Sequence, residues 1–163
     1  MTWIALYTKP RHEKLVREGL EEKGIEVFLP ILKQKRKWSD RMKWVEFPLF
    51  RGYVFCNVDI KDTLPVLQTE GVHHIIKFAN RIAEIPEVQI NAVRLMIEGG
   101  YIGESTDYFV VGNPVEVANG PMKGVRGIVS RIDGEDQLVI KIDVIQHAIA
   151  LHIDRKFLNK IDK

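Results

Sequence analysis

One cysteine stands among 163 residues. Cys56 has no second thiol to pair with, so an internal disulfide is excluded and a reducing cytosol fits. It follows Phe55 in an apolar stretch and reads as a small core residue. Long apolar runs are missing too. None is long enough to cross a bilayer, and charges begin at Lys9 with no signal-peptide block ahead of them. The expected location is the cytoplasm, away from any membrane. There is no glycine-rich loop followed by Lys and Ser or Thr, the pattern that cradles nucleotide phosphates. His73 and His74 are adjacent in a run that reads as a strand. Strand alternation sends neighbours to opposite faces, so the pair is not expected to hold one metal ion. The cysteine has no histidine close by in sequence. These absences argue against an enzyme, a metal centre or a bound cofactor.

What is present is ordinary in amount and uneven in placement. Hydrophobic residues make up 45% and charged residues 28%, which is globular composition. The length allows one domain or two small ones. Net charge is only +2. Residues 33–51, however, carry Lys33, Lys35, Arg36, Lys37, Arg41, Lys43 and Arg51 against Asp40 and Glu46, a local +5. A basic patch on a near-neutral chain points to contact with phosphate rather than general stickiness. The helix around Pro10 adds Lys9, Arg11, Lys14 and Arg17, but Glu13, Glu18, Glu21 and Glu22 offset them. That helix reads as a solvated face.

Periodicity gives an element order. Residues 3–8 read as a strand. Pro10 opens a helix in which His12, Leu15, Val16, Gly19 and Leu20 share one narrow face, and Gly24 stops it. Residues 25–30 read as a second strand, and 33–45 as a hairpin turning near Ser39 and Asp40. Residues 49–58 form the next strand, 62–68 a short helix with Pro65 in its first turn, 72–78 a strand and 86–97 an amphipathic helix. Then Gly99 and Gly100 break the pattern. The glycine-rich stretch 99–112 reads as a linker. Beyond it, short strands near 115–117, 127–132, 138–143, 148–153 and 157–161 close most readily as a small barrel. The fold class is α+β: a ferredoxin-like split βαβ sandwich over 1–98, then a five-stranded, SH3-like β-barrel over 113–163.

The densest aromatic segment is Glu46-Phe47-Pro48-Leu49-Phe50-Arg51-Gly52-Tyr53-Val54-Phe55. Pro48 and Gly52 punctuate the mouth of a strand, and Tyr53 and Phe55, two apart, share one of its faces. A core needs only one aromatic face. A further cluster beside a turn fits a partner pocket, and burial of all four rings is the competing reading.

Two motifs together resemble one family. Trp3 and Tyr7 in the first strand, Pro30 closing the second, and 48–55 resemble the NusG N-terminal (NGN) domain. Val115-Glu116-Val117, Asn119-Gly120-Pro121, Met122-Lys123-Gly124 and Gly127-Ile128-Val129 resemble a KOW domain. The resemblance covers nearly the whole chain. The chain has no acidic insertion domain, and Val27-Phe28-Leu29-Pro30 with Pro48-Leu49-Phe50 is similar to the specialised paralogues of the RfaH and UpxY kinds. Arg51 stands where the family usually has Pro, and Met122 where it usually has Phe. Where the RfaH type reads DNA bases, this chain has Gly19, Glu22 and Glu70, although Lys9 and Thr69 match.

The resemblance implies a transcription elongation and antitermination factor that suppresses pausing or termination. Tyr7, Phe50, Arg51, Tyr53 and Phe55 would bind the clamp helices of the RNA polymerase β′ subunit. Aromatic grooves receive helical tips in this way. Lys9 and the hairpin residues Lys35, Arg36, Lys37, Trp38, Arg41 and Lys43 would lie near non-template or upstream DNA, with Trp38 and Trp44 able to stack on exposed bases. The competing reading is a solvated hairpin with the two indoles paired across its strands. Ile145 stands where the family places an exposed apolar contact for a small-subunit ribosomal protein or the Rho terminator. A housekeeping NusG acting with Rho, and a KOW-type module that binds ribosome or RNA, are the alternatives.

Overall fold

A computed structural model describes residues 1–161. The chain divides into two compact units, Met1–Glu84 and Ile85 onward.

The first unit is built on a four-stranded antiparallel sheet. Its strands are β1 (Thr2–Thr8), β2 (Glu26–Phe28), β5 (Tyr53–Val58) and β6 (Val72–Ile75). They lie in the order β2-β5-β1-β6, the arrangement of a ferredoxin-like split βαβ unit. Alternation along β1 and β5 sends Ile4, Leu6, Val54, Cys56 and Val58 to one face. There they form one buried cluster with Val16 and Leu20 of helix α1 (Glu13–Glu22), Val66 of helix α2 (Leu64–Leu67) and Ile75. Each such side chain contributes about 1.5–3 kcal/mol when removed from water. Burial also pushes the Cys56 thiol up to about 12, which keeps it protonated and unreactive. Helix α1 ends in a Schellman arrangement: Ile25 N–H donates to Leu20 O, Gly24 N–H donates to Glu21 O, and Gly24 has φ +74°.

Strands β3 (Ile31–Trp38) and β4 (Arg41–Pro48) form a separate hairpin, closed by a two-residue loop at Ser39 and Asp40. It is longer than the sequence predicts at both ends. A second small hairpin, β7 (Lys77–Phe78) with β8 (Arg81–Ile82), replaces the end of what reads as one continuous strand over 72–78. Ala79 and Asn80 between its strands both have positive φ, the geometry of a tight I′ turn.

The second unit starts with α3 (Glu87–Glu98), whose Ile90, Ala92, Val93 and Met96 are buried. A six-stranded antiparallel sheet follows, ordered β14-β10-β11-β12-β13-β9. Its members are β9 (Glu104–Thr106), β10 (Asn113–Val117), β11 (Arg126–Ile132), β12 (Glu135–Ile142), β13 (His147–Leu151) and β14 (Leu158–Lys160). The expected five strands are present as β10 to β14. The sixth, β9, lies inside the stretch 99–112 that reads as a linker, and it pairs with β13. The same stretch is fastened further along, where Tyr108 OH donates to Asp143 Oδ1 at 2.7 Å. Asp143 also accepts from Gln89 Nε2 of α3 at 2.8 Å. The helix therefore groups with the second unit, and the compact boundary falls at 84/85 instead of 98/99. Composition marks 99–112 as irregular, but backbone groups there still find partners.

Candidate functional site: an aromatic face and a basic hairpin

Register places Tyr7 of β1 directly opposite Tyr53 of β5, on the sheet face away from the helices. Their rings meet edge to face, with centroids 5.5 Å apart. Tyr7 is 39% exposed and Tyr53 is half-buried. Burial first, and then the neighbouring Tyr7, hold the Tyr53 phenol above its ordinary pKa. Arg51 is exposed beside them. Phe50 and Phe55 are different. They are 1% and 0% exposed, and their rings pack edge to face at 5.8 Å. Of the five residues expected to form a partner pocket, Tyr7, Arg51 and Tyr53 reach the surface. Phe50 and Phe55 do not: they are buried, because rings without a polar handle are the ones fully removed from water.

Two further side chains complete this face. His73 and His74 both pack around Tyr7, with ring centroids 5.9 and 5.3 Å from it. Their Nδ1 atoms are 2.7 Å apart. The expectation that they point to opposite faces is overturned. The register of β6 on β1 shifts between Tyr7 and Thr8, and such a bulge re-aims a side chain that alternation would send elsewhere. Among the described residues no group of three or more His, Cys, Asp or Glu side chains is placed to hold a metal ion.

The turn that presents this face is tied down from two sides. Thr8 N–H donates to Gly52 O at 2.8 Å, and Gly52 N–H donates to Glu13 Oε1 at 2.9 Å. Glu13 is 8% exposed, so it does not belong to the solvated helix face expected for it. Helical spacing carries the signal that was available: Glu13 lies three and seven residues before Val16 and Leu20, on the buried stripe.

The hairpin supplies the charge. Opposed residues share a face, so Lys35, Lys37, Met42 and Trp44 lie on one side, and Arg36, Trp38, Arg41 and Lys43 on the other. Trp38 and Trp44 are 68% and 65% exposed. They do not pair with each other. Each lies near a lysine instead, Lys43 at 5.9 Å from the Trp38 ring and Lys35 at 5.8 Å from the Trp44 ring. Glu46 is engaged at the base by Lys33 and Lys14, and the Lys33 hydrogen bond in particular holds its carboxyl below the usual range. None of Lys35, Arg36, Lys37, Arg41 and Lys43 has a carboxylate within ion-pair reach among the described residues. Lys9 is exposed, and its backbone N–H bonds Gly71 O at 2.9 Å.

Ile145 is a correction as well. It closes a short 3₁₀ turn after β12 and is 7% exposed. The turn folds its side chain inward, so it offers no exposed apolar contact.

The first unit is NGN-like in its strand order, and a β-rich second unit follows it. A family model described as "Transcription termination factor nusG" matches residues 1–94. The "Transcription termination/antitermination protein NusG" of Lactococcus lactis subsp. lactis (strain IL1403) is 24% identical over 165 residues, covering 93% of this chain and 89% of that protein. The solved structure titled "Domain interaction in Thermotoga maritima NusG" superposes with a TM-score of 0.55 at 18% identity, over 99% of this chain and 97% of that one. The chain belongs to the NusG family and is a NusG-like transcription termination/antitermination factor. No helix among the described residues is long and apolar enough to cross a membrane.

Proposed function

We propose that the chain is a specialised NusG paralogue of the RfaH and UpxY kinds, acting in the cytoplasm as a binding factor without a chemical step. The first unit docks on the clamp helices of the RNA polymerase β′ subunit and suppresses pausing or termination. The observation that carries this reading is the surface Tyr7–Tyr53 pair, its rings edge to face, with the exposed Arg51 two residues before Tyr53. Aromatic rings with a polar tip, fixed on a rigid sheet, are the usual anchors of a protein interface. The histidines His73 and His74 extend the same face. The basic hairpin reaches non-template or upstream DNA, with phosphates neutralised by its unpaired cations and bases stacked on Trp38 and Trp44. The second unit is a KOW-type domain that recruits a small-subunit ribosomal protein, or Rho in the housekeeping alternative. Ile145 is buried, so that contact falls to other residues.

The test is the affinity of the full chain for core RNA polymerase. Replacing Tyr7 and Tyr53 together by Ala should weaken binding at least tenfold, since paired anchors of this type contribute roughly 2 kcal/mol or more. The variant should lose some stability but stay folded, with its amide spectrum dispersed, because neither ring belongs to the buried core cluster. Equal affinity of the double variant and the parent chain would remove this face as the polymerase site.

A further inference from the structure

Glu13 is a buried carboxylate that none of the functional readings above uses. It stands at the first position of α1, where the helix dipole favours negative charge. Its recorded partner is a backbone N–H on another element, that of Gly52 at 2.9 Å.

The identity of that N–H matters. Tyr53 N–H donates to Phe50 O at 3.2 Å, so Phe50 to Tyr53 form a β-turn. Gly52 is its third residue and has φ +82°, which makes the turn type II. Type II and type I turns differ chiefly in the orientation of the peptide joining the two central residues. Here that peptide is Arg51–Gly52, and its N–H is the group bound by Glu13. In the flipped form the Arg51 carbonyl would take the place of the N–H and set an acceptor oxygen against Glu13 Oε1, itself an acceptor in this contact. Glu13 therefore favours one form and opposes the other.

The turn controls what the face presents. A Cβ at Gly52 would lie 3.2 Å from Tyr7 Cε2, so the Tyr7 ring rests against the Gly52 backbone. Tyr53 follows Gly52 directly, and Arg51 precedes it. We propose that Glu13 is a positioning residue: it locks the Arg51–Gly52 peptide in the type II orientation and so fixes Arg51, Tyr53 and Tyr7 in the arrangement a partner reads. This inference rests on the polymerase reading for the identity of that partner.

The experiment uses the full chain, its Glu13→Met and Glu13→Gln variants, amide NMR and core RNA polymerase. Met keeps the bulk and loses the acceptor, and Gln keeps a side-chain oxygen acceptor. Glu13→Met should speed Gly52 amide exchange and shift the Tyr7 and Tyr53 ring resonances. Its polymerase affinity should fall about tenfold as the competent turn becomes a minority, while the rest of the amide spectrum stays in place. Glu13→Gln should restore most of all three. Unchanged Gly52 exchange in Glu13→Met, or a Gln variant no better than Met, overturns the inference. So does slow exchange lost throughout the spectrum, which would mark a general packing role. Failure of the parent chain to bind polymerase would instead strike the reading of the partner, and the Gly52 exchange would still judge the lock.

Discussion

At the scale of single residues, burial separates side chains that sequence spacing cannot. Tyr7 is exposed and Tyr53 half-buried, whereas Phe50 and Phe55 are buried. Truncating Phe50 is therefore a core mutation. Phe50→Ala should cost about 3–5 kcal/mol of stability, read as an earlier urea midpoint with little change in slope. A variant that unfolds with the parent midpoint yet loses its partner would contradict that placement. The aromatic segment was legible as important, because Pro, Gly and four rings cluster in ten residues. Its division into buried and surface rings was not, since periodicity assigns a face without saying how deeply that face is covered. Glu13 was missed for the opposite reason. Its position on the stripe of Val16 and Leu20 is visible in the sequence, but an acid in an acid-rich helix reads as solvated. Only the distant Gly52 N–H explains why it is buried.

At the scale of elements, local pairing was legible and its irregularities were not. The β3–β4 hairpin follows from alternation and from Ser39 and Asp40 at the turn. The β6 bulge that brings His73 and His74 together leaves no mark that a period of two can detect. The strand β9 has three residues and exists because β13 offers it a free edge. The hairpin projects cations and one exposed indole from each side, away from the sheet's core cluster. Its surface should accordingly be dispensable for folding. Reversing Lys35, Arg36 and Lys37 to Glu should leave thermal unfolding within a few degrees of the parent and weaken binding to DNA-containing elongation complexes. The loss should be larger at low salt, where unscreened charges reach about 10 Å or further. Crosslinks placed along residues 36–41 that never reach DNA would leave the hairpin as a solvated ribbon.

At the scale of the whole molecule, two motifs made the family legible, one at 48–55 and one at 115–129. Their order along the chain carried more weight than either motif. The boundary between the units was harder to see. Gly99 and Gly100 break periodicity sharply, but Gln89 and Tyr108 both bond Asp143, and these bonds join residues before and after that break. The strand-rich form of the second unit has physical support in its sequence. Residues 125–153 are dense in Val and Ile, which favour pleated strands. Gly124, Gly127 and Gly134 would each cost a helix roughly 1 kcal/mol relative to Ala. Gly127 is also held by close approach: a Cβ there would lie 2.5 Å from Val139 O of the paired strand. Gly120, Gly124 and Gly134 have positive φ, which suits turns and no continuous helix. Far-UV circular dichroism of a fragment spanning 85–163 should therefore be dominated by strand, with a single helix's contribution from α3. The same strand signal should be present in the intact chain, with no exchange of helix for strand when the fragment is released. A C-terminal region that is helical in the intact chain and turns to strand once cut free would show that these preferences are overridden.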